Sequence, residues 1–268
     1  MFRKILAPVD FTPHSLNALE QACKFAQAHN AHLTILNVIS IDYVTSDLKN
    51  CVIPQIENAY KRFDNLKLTT PLWLNPDFVY KIEFGEVLDV ITTYSPHYDL
   101  IILGADMVQD KSEPGHNHLL IDLTKKIATP ILMIPGHIEK LTFNKIVFAI
   151  DLKKIKQWSA LNNFRELLKA YEAELHLLKV NTSLDKLTEK KSDEAIHLHE
   201  FFAGIKHSFF FIDERNIEEG ILTYLKERNI NTLALMPRHR NFIQRLTHHS
   251  ITDSITTQLD VPLLTFHE

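Results

Sequence analysis

A chain of 268 residues, 45% hydrophobic and 23% charged, has the composition of a folded globular protein, which excludes disorder and fibrous architectures. Its 29 basic and 33 acidic residues leave a formal charge of −4, so no basic excess is available to neutralise a run of phosphates and no nucleic-acid partner is expected. The longest apolar runs, 100–105 and 146–150, fall far short of the roughly 20 residues that cross a bilayer, and the opening apolar run 5–9 is too short for a signal peptide; no membrane association and a cytoplasmic location are the expectation.

In chain order, the first apolar run, Ile5-Leu6-Ala7-Pro8-Val9, ends in Asp10 and reads as a buried strand. Thr12 is a good N-cap with Pro13 at the first helical position, and Leu16, Leu19, Cys23 and Ala26 follow at helical spacing, which predicts a helix over 13–29. A second strand covers His32 to Val38, another covers Asp99 to Leu103, and Leu120, Leu123 and Ile127 mark a helix before a last strand at Ile131 to Ile134. Turn-forming residues from Pro135 to Lys140 then close a first domain, placed at 1–137.

The pattern then starts again. Lys145-Ile146-Val147-Phe148-Ala149-Ile150 ends in Asp151, 141 residues after Asp10, and Glu174 to Val180 repeats the run His32 to Val38. Trp158, Leu161, Phe164, Leu168 and Tyr171 give the first helix of this copy a bulkier buried face. The polar stretch Thr182 to Ser192 reads as a loop, and His197-Leu198-His199 falls in a helix. Ile251, Ile255 and Leu259 mark the last helix, and Pro262-Leu263-Leu264 the last strand. The second domain is placed at 138–268. Strands without alternation, separated by amphipathic helices, mean an α/β class in which each copy is a doubly wound parallel sheet of five strands.

This order, with Asp ending the first strand, a helix opening at Thr12-Pro13, His97-Tyr98-Asp99-Leu100-Ile101 entering the fourth strand and Thr129-Pro130-Ile131-Leu132 in the last, resembles the universal stress protein family in a tandem arrangement. The resemblance implies an adenine nucleotide alpha hydrolase-like fold with strand order 3-2-1-4-5 in each copy. It also implies an intrachain pseudo-dimer, open to homodimerisation.

Nucleotide-binding members of that family carry, after the fourth strand, a Gly, two residues, a Gly, nine residues, a Gly and then Ser or Thr. Glycine lets backbone N–H groups approach phosphate, and the following helix N-terminus attracts the anion. From Gly104 the remaining motif positions hold Met107, Asn117 and His118; in the second copy they hold Met236, His239, His249 and Ser250. Most of the phosphate cradle is therefore missing. The nucleoside side is better kept, and the resemblance assigns Pro8, Val9, Asp10, Val38 and Gly104 to it. Asp10 has two readings here, an acceptor for ribose hydroxyls or the cap of its own turn.

Fifteen histidines cluster partly in the degenerate loops (His116, His118, His239, His248 and His249), but without cysteine or diagnostic spacing, so no metal is assigned. His197 and His199, two apart on a helix, point to different faces. Arg238, Arg240 and Arg245 form the one local basic concentration, read first as a solvated loop. Ser250 is read as an N-cap. Cys23 and Cys51 give neither a disulfide framework nor a metal spacing. No catalytic set emerges, and no enzyme is required. The reading is a stress-response protein acting through ligand or protein-partner binding, with at most weak binding of AMP or ATP in the first domain. Its rivals are an ATP-binding switch or slow ATPase using that domain, and an interaction module with both sites inactive.

Overall fold

The computed structural model describes residues 2–40, 53–69, 78–105, 118–181, 189–236 and 259–267. The chain divides into two compact units, Phe2–Glu139 and Lys140–Glu268.

The first unit runs β1 (Lys4–Pro8), α1 (Pro13–His29), β2 (His32–Ile39), α2 (Ile53–Thr69), β3 (Phe78–Phe84), α3 (Val87–Tyr94), β4 (Leu100–Gly104), α4 (His118–Lys126) and β5 (Ile131–Ile134). Its strands lie in the order β3-β2-β1-β4-β5, all parallel. The second unit runs β6 (Lys145–Ala149), a 3₁₀ turn (Trp158–Leu161), α5 (Asn162–Ala170), β7 (Glu174–Asn181), α6 (Glu189–Phe201), β8 (His207–Asp213), α7 (Ile217–Glu227), β9 (Thr232–Leu235) and β10 (Leu263–Thr265). Its strands repeat the same order as β8-β7-β6-β9-β10, again parallel. The expected α/β class and strand order are found in both copies.

Burial explains the unalternated strands. Ile5, Leu6, Leu33, Ile35, Leu36, Ile101 and Leu103 are all inaccessible, as are Ile146, Val147, Leu175, Leu177 and Leu233, because helices cover both faces of each sheet. The predicted limits of α1 hold at both ends, with Thr12 accepting from the Ser15 N–H and Pro13 opening the helix. Its buried stripe is centred on Ala18 and Ala22 with Leu19, Cys23 and Ala26, while Leu16 is only half-buried. In the second unit Phe164 takes the corresponding inward position on α5 and packs against Phe148, Phe202 and Phe266, with ring centroids 5.0–6.0 Å away. The bulkier face read from the sequence is thus an aromatic core.

Two local expectations need adjustment. The helix expected to begin at Trp158 starts as a 3₁₀ turn and becomes α-helical only at Asn162. Of the stretch expected as a loop, Glu189 to Ser192 already belong to α6, and the rest lies outside the described residues, as do Cys51, Ser250 and most of the helix expected around Ile251 and Ile255.

With only six glycines in 268 residues, other residues close the helix ends. Asn30, Glu172 and Asn229 have φ of 50°, 47° and 52°, at the position after a helix where glycine is the usual residue. The geometry is a Schellman closure: Ala31 N donates to Ala26 O at 2.8 Å, Ala173 N to Leu168 O at 2.9 Å, and Ile230 N to Leu225 O at 3.1 Å.

Candidate functional site

In open α/β sheets ligands bind beyond the carboxyl ends of the strands, where the strand order reverses. In the first unit that point lies between β1 and β4, and the residues beyond β1 and at the ends of β2 and β4 are those that the sequence singled out.

Asp10 sits just past β1, and both the main-chain N–H and the hydroxyl of Thr12 donate to its Oδ1, at 2.9 and 2.7 Å. Phe11 between them has φ of 63°, the left-handed backbone that such a two-residue hydrogen-bonded turn needs. Thr12 then caps α1, so one carboxylate oxygen anchors both the exit from β1 and the entry to α1. Capping, one of the two sequence readings, is therefore realised. The second oxygen, Oδ2, has no partner among the described residues, and Asp10 is half-buried.

Val9 is held on both sides of its main chain. Its N–H donates to Leu36 O at 2.8 Å, and its carbonyl accepts from the Asn37 side-chain amide at 2.7 Å. Asn37 is almost inaccessible, and sequence reasoning missed it; an amide between the apolar pairs Ile35-Leu36 and Val38-Ile39 was the available signal. Pro8 is the last residue of β1 paired with β2, opposite Leu36. Val38, half-buried, lies two residues further along β2, beyond that ladder.

Gly104 ends β4. A Cβ there would lie 2.9 Å from the His14 carbonyl oxygen and 3.2 Å from the Ser15 nitrogen, so the absent side chain lets the first turn of α1 lie directly on β4. Close packing accounts for this glycine without any phosphate.

The second unit repeats the backbone and changes the chemistry. Asp151 Oδ1 accepts the Lys153 N–H at 3.0 Å, and Leu152 between them has φ of 55°. Here, however, the Lys153 ammonium stands 3.8 Å from Asp151 Oδ2. Leu152 and Ile155 turn inward and are nearly inaccessible. Glu194, a buried carboxylate on α6, accepts the Ile155 N–H at 3.0 Å and so ties this segment down. A cavity of about 20 Å³ remains between Phe148, Asp151, Leu152, Ile155, Glu194 and Leu198, room for about one water.

Met107, Asn117, the His118 side chain, His239, His249, the loop arginines and His116 and His248 lie outside the described residues. Met236, at the end of β9, is half-buried. His197 stands edge-on to Trp158, whereas His199 faces His207, so the two histidines point apart as expected. Among the described residues no group of three or more His, Cys, Asp or Glu converges. Cys23 is buried and its thiol is pushed up to about 12 by burial, with Glu20 adding to the effect, which makes it inert at neutral pH. No helix among them is long and apolar enough to cross a membrane.

Over 99% of its length this chain superposes on 96% of a universal stress protein from Archaeoglobus fulgidus DSM 4304, with a TM-score of 0.73 and 18% identity. A functionally unknown protein from Pseudomonas aeruginosa PAO1 is 12% identical, with a TM-score of 0.58 over 99% of this chain and 92% of that one. At these identities the likeness concerns the fold. No curated protein matches the sequence. The sequence model of the universal stress protein family matches residues 1–49 and 142–267, one segment in each repeat and together more than half of the chain, and the chain belongs to that family.

Proposed function

We propose that this protein acts in the cytoplasm, in a stress response, by binding a ligand or protein partner and not by catalysis, with weak adenine-nucleotide binding confined to the first unit. The difference between Asp10 and Asp151 supports this reading. Both spend Oδ1 on the same turn, but among the described residues Oδ2 of Asp10 faces no cation, whereas Oδ2 of Asp151 faces Lys153, with Leu152 and Ile155 buried beside it. A free carboxylate oxygen at the switch point suits a ribose diol, which donates two hydrogen bonds. Losing the glycines that would bring backbone to phosphate removes the reason for ATP to bind better than adenosine. Turnover would need a held triphosphate as well as a positioned water, and Met107, Asn117 and His118 replace the residues that would cradle the first.

The test is thermal unfolding of the full chain with adenosine, AMP and ATP at millimolar concentration, since a ligand that prefers the native state raises its stability. Small, similar shifts with all three are expected. A shift with ATP alone would favour the switch or slow ATPase, and no shift with any would leave the interaction module.

A further inference from the structure

α6 ends at Phe201, and β8 begins at His207 after a short turn through Gly204, whose left-handed φ of 81° favours glycine. The turn carries His199, on the last turn of α6, back against His207, on the edge strand of the second unit. His199 Nδ1 lies 2.9 Å from His207 Nε2. The other ring nitrogen of His207, Nδ1, is 2.8 Å from the Ile205 carbonyl. A carbonyl oxygen only accepts, so His207 carries its proton on Nδ1 and presents a lone pair at Nε2. The ring of His207 also lies against the inaccessible Phe202, 6.4 Å between centroids, while His199 is exposed and can turn.

A neutral imidazole whose far nitrogen is fixed by a carbonyl is the form in which histidine ligates metals. We propose that His199 and His207 form a two-histidine site for a divalent first-row transition metal of the nickel or copper type. The separation is that of adjacent ligands on such an ion: with metal–nitrogen bonds of about 2.1 Å, nitrogens at a right angle stand roughly 3.0 Å apart, against about 3.4 Å for a tetrahedral ion. Without metal, His199 donates its Nδ1 proton to His207 Nε2. On binding, that proton is carried through solvent to Nε2 of the same ring, so both rings stay neutral and both facing nitrogens become donors. Water fills the remaining positions. Lys206, next in sequence, does not oppose the cation unshielded, because its ammonium pairs with Glu174 at 3.1 Å.

The experiment titrates Ni²⁺ into the full-length protein by calorimetry and follows the histidine ring nitrogens by NMR. In the wild type, the first equivalent should perturb His199 Nδ1 and His207 Nε2 together. His199→Ala changes an exposed side chain and should remain folded by circular dichroism, yet bind at that site about tenfold more weakly or worse, because one nitrogen cannot chelate. His197→Ala, against Trp158, should bind as the wild type does and controls for the other histidines. Equal nickel affinity in wild type and His199→Ala, or first-equivalent perturbations confined to other histidines, would overturn the assignment.

Discussion

His176 Nδ1 and the Tyr224 hydroxyl are 2.8 Å apart inside the second unit, and the other face of this contact is apolar, with Phe210 stacked on the imidazole at 4.4 Å. Glu174 lies 3.4 Å from Nε2 and can only accept, so the ring is protonated at Nε2 and Tyr224 donates to Nδ1. Burial holds the His176 pKa below its usual 6.5, opposed by Glu174, and burial pushes Tyr224 up to about 12. Tyr224→Phe leaves a buried ring nitrogen without its donor and should cost about 1–3 kcal/mol in chemical denaturation at pH 7.5.

The same burial sets a pH dependence. His29 and His176 have lowered pKa values, and burial takes His267 down to about 4 from 6.5. A histidine kept neutral by the fold binds a proton more readily once unfolded. Its contribution is therefore complete above pH 6.5 and is lost as pH falls through that value toward the folded pKa. The melting temperature should drop between pH 7 and 5, with a loss on the order of 2 kcal/mol at the lower end. His267→Ala should flatten that slope; an unchanged slope would mean that other groups govern it.

Glu172 occupies a left-handed position with φ of 47° after α5, where a side chain other than glycine or asparagine is strained. Glu172→Gly should therefore raise stability by about 1 kcal/mol, read from the denaturation midpoint, even though glycine usually weakens a chain.

Gly104→Ala should do the opposite. Its Cβ would press on the His14 carbonyl, a backbone atom that cannot swing away, so a loss of about 1–3 kcal/mol is expected. The loss should be the same with or without nucleotide, which separates the packing role from any phosphate contact.

These residues also show where sequence reading reaches and where it stops. Thr12 with Pro13, the strands ending in Asp10 and Asp151, and the repeat offset were legible because capping, period and repetition are local signals. The internal use of Val9's backbone was not, because the Asn37 amide that takes its carbonyl is 28 residues away. Nor was the anchoring of the turn after Asp151: only the fold brings Glu194, 39 positions later, to the Ile155 N–H. Gly104 was legible as an isolated glycine, but whether it serves a phosphate or a helix depends on His14, which no spacing rule connects to it. The His199–His207 pair needed the turn at Gly204 as well as the helix.

The sharpest test of the first unit separates the two duties of Asp10. Asp10→Ala removes the acceptor for both Thr12 bonds and the charge at once, so it should destabilise the protein by about 1 kcal/mol, the usual worth of a capping interaction, and also abolish nucleoside binding. Asp10→Asn keeps a carbonyl oxygen that can still accept from Thr12 at 2.7–2.9 Å, but replaces the free oxygen by an amide donor. It should fold nearly as well as the wild type and yet lose adenosine, because a ribose hydroxyl meeting an N–H has no acceptor for its own proton. Calorimetry with adenosine and ATP, at one salt concentration, on wild type and both variants reads this directly. Binding that survives in Asp10→Asn at wild-type strength would mean that Oδ2 is not the ribose acceptor, and that the carboxylate at the end of β1 serves the turn alone.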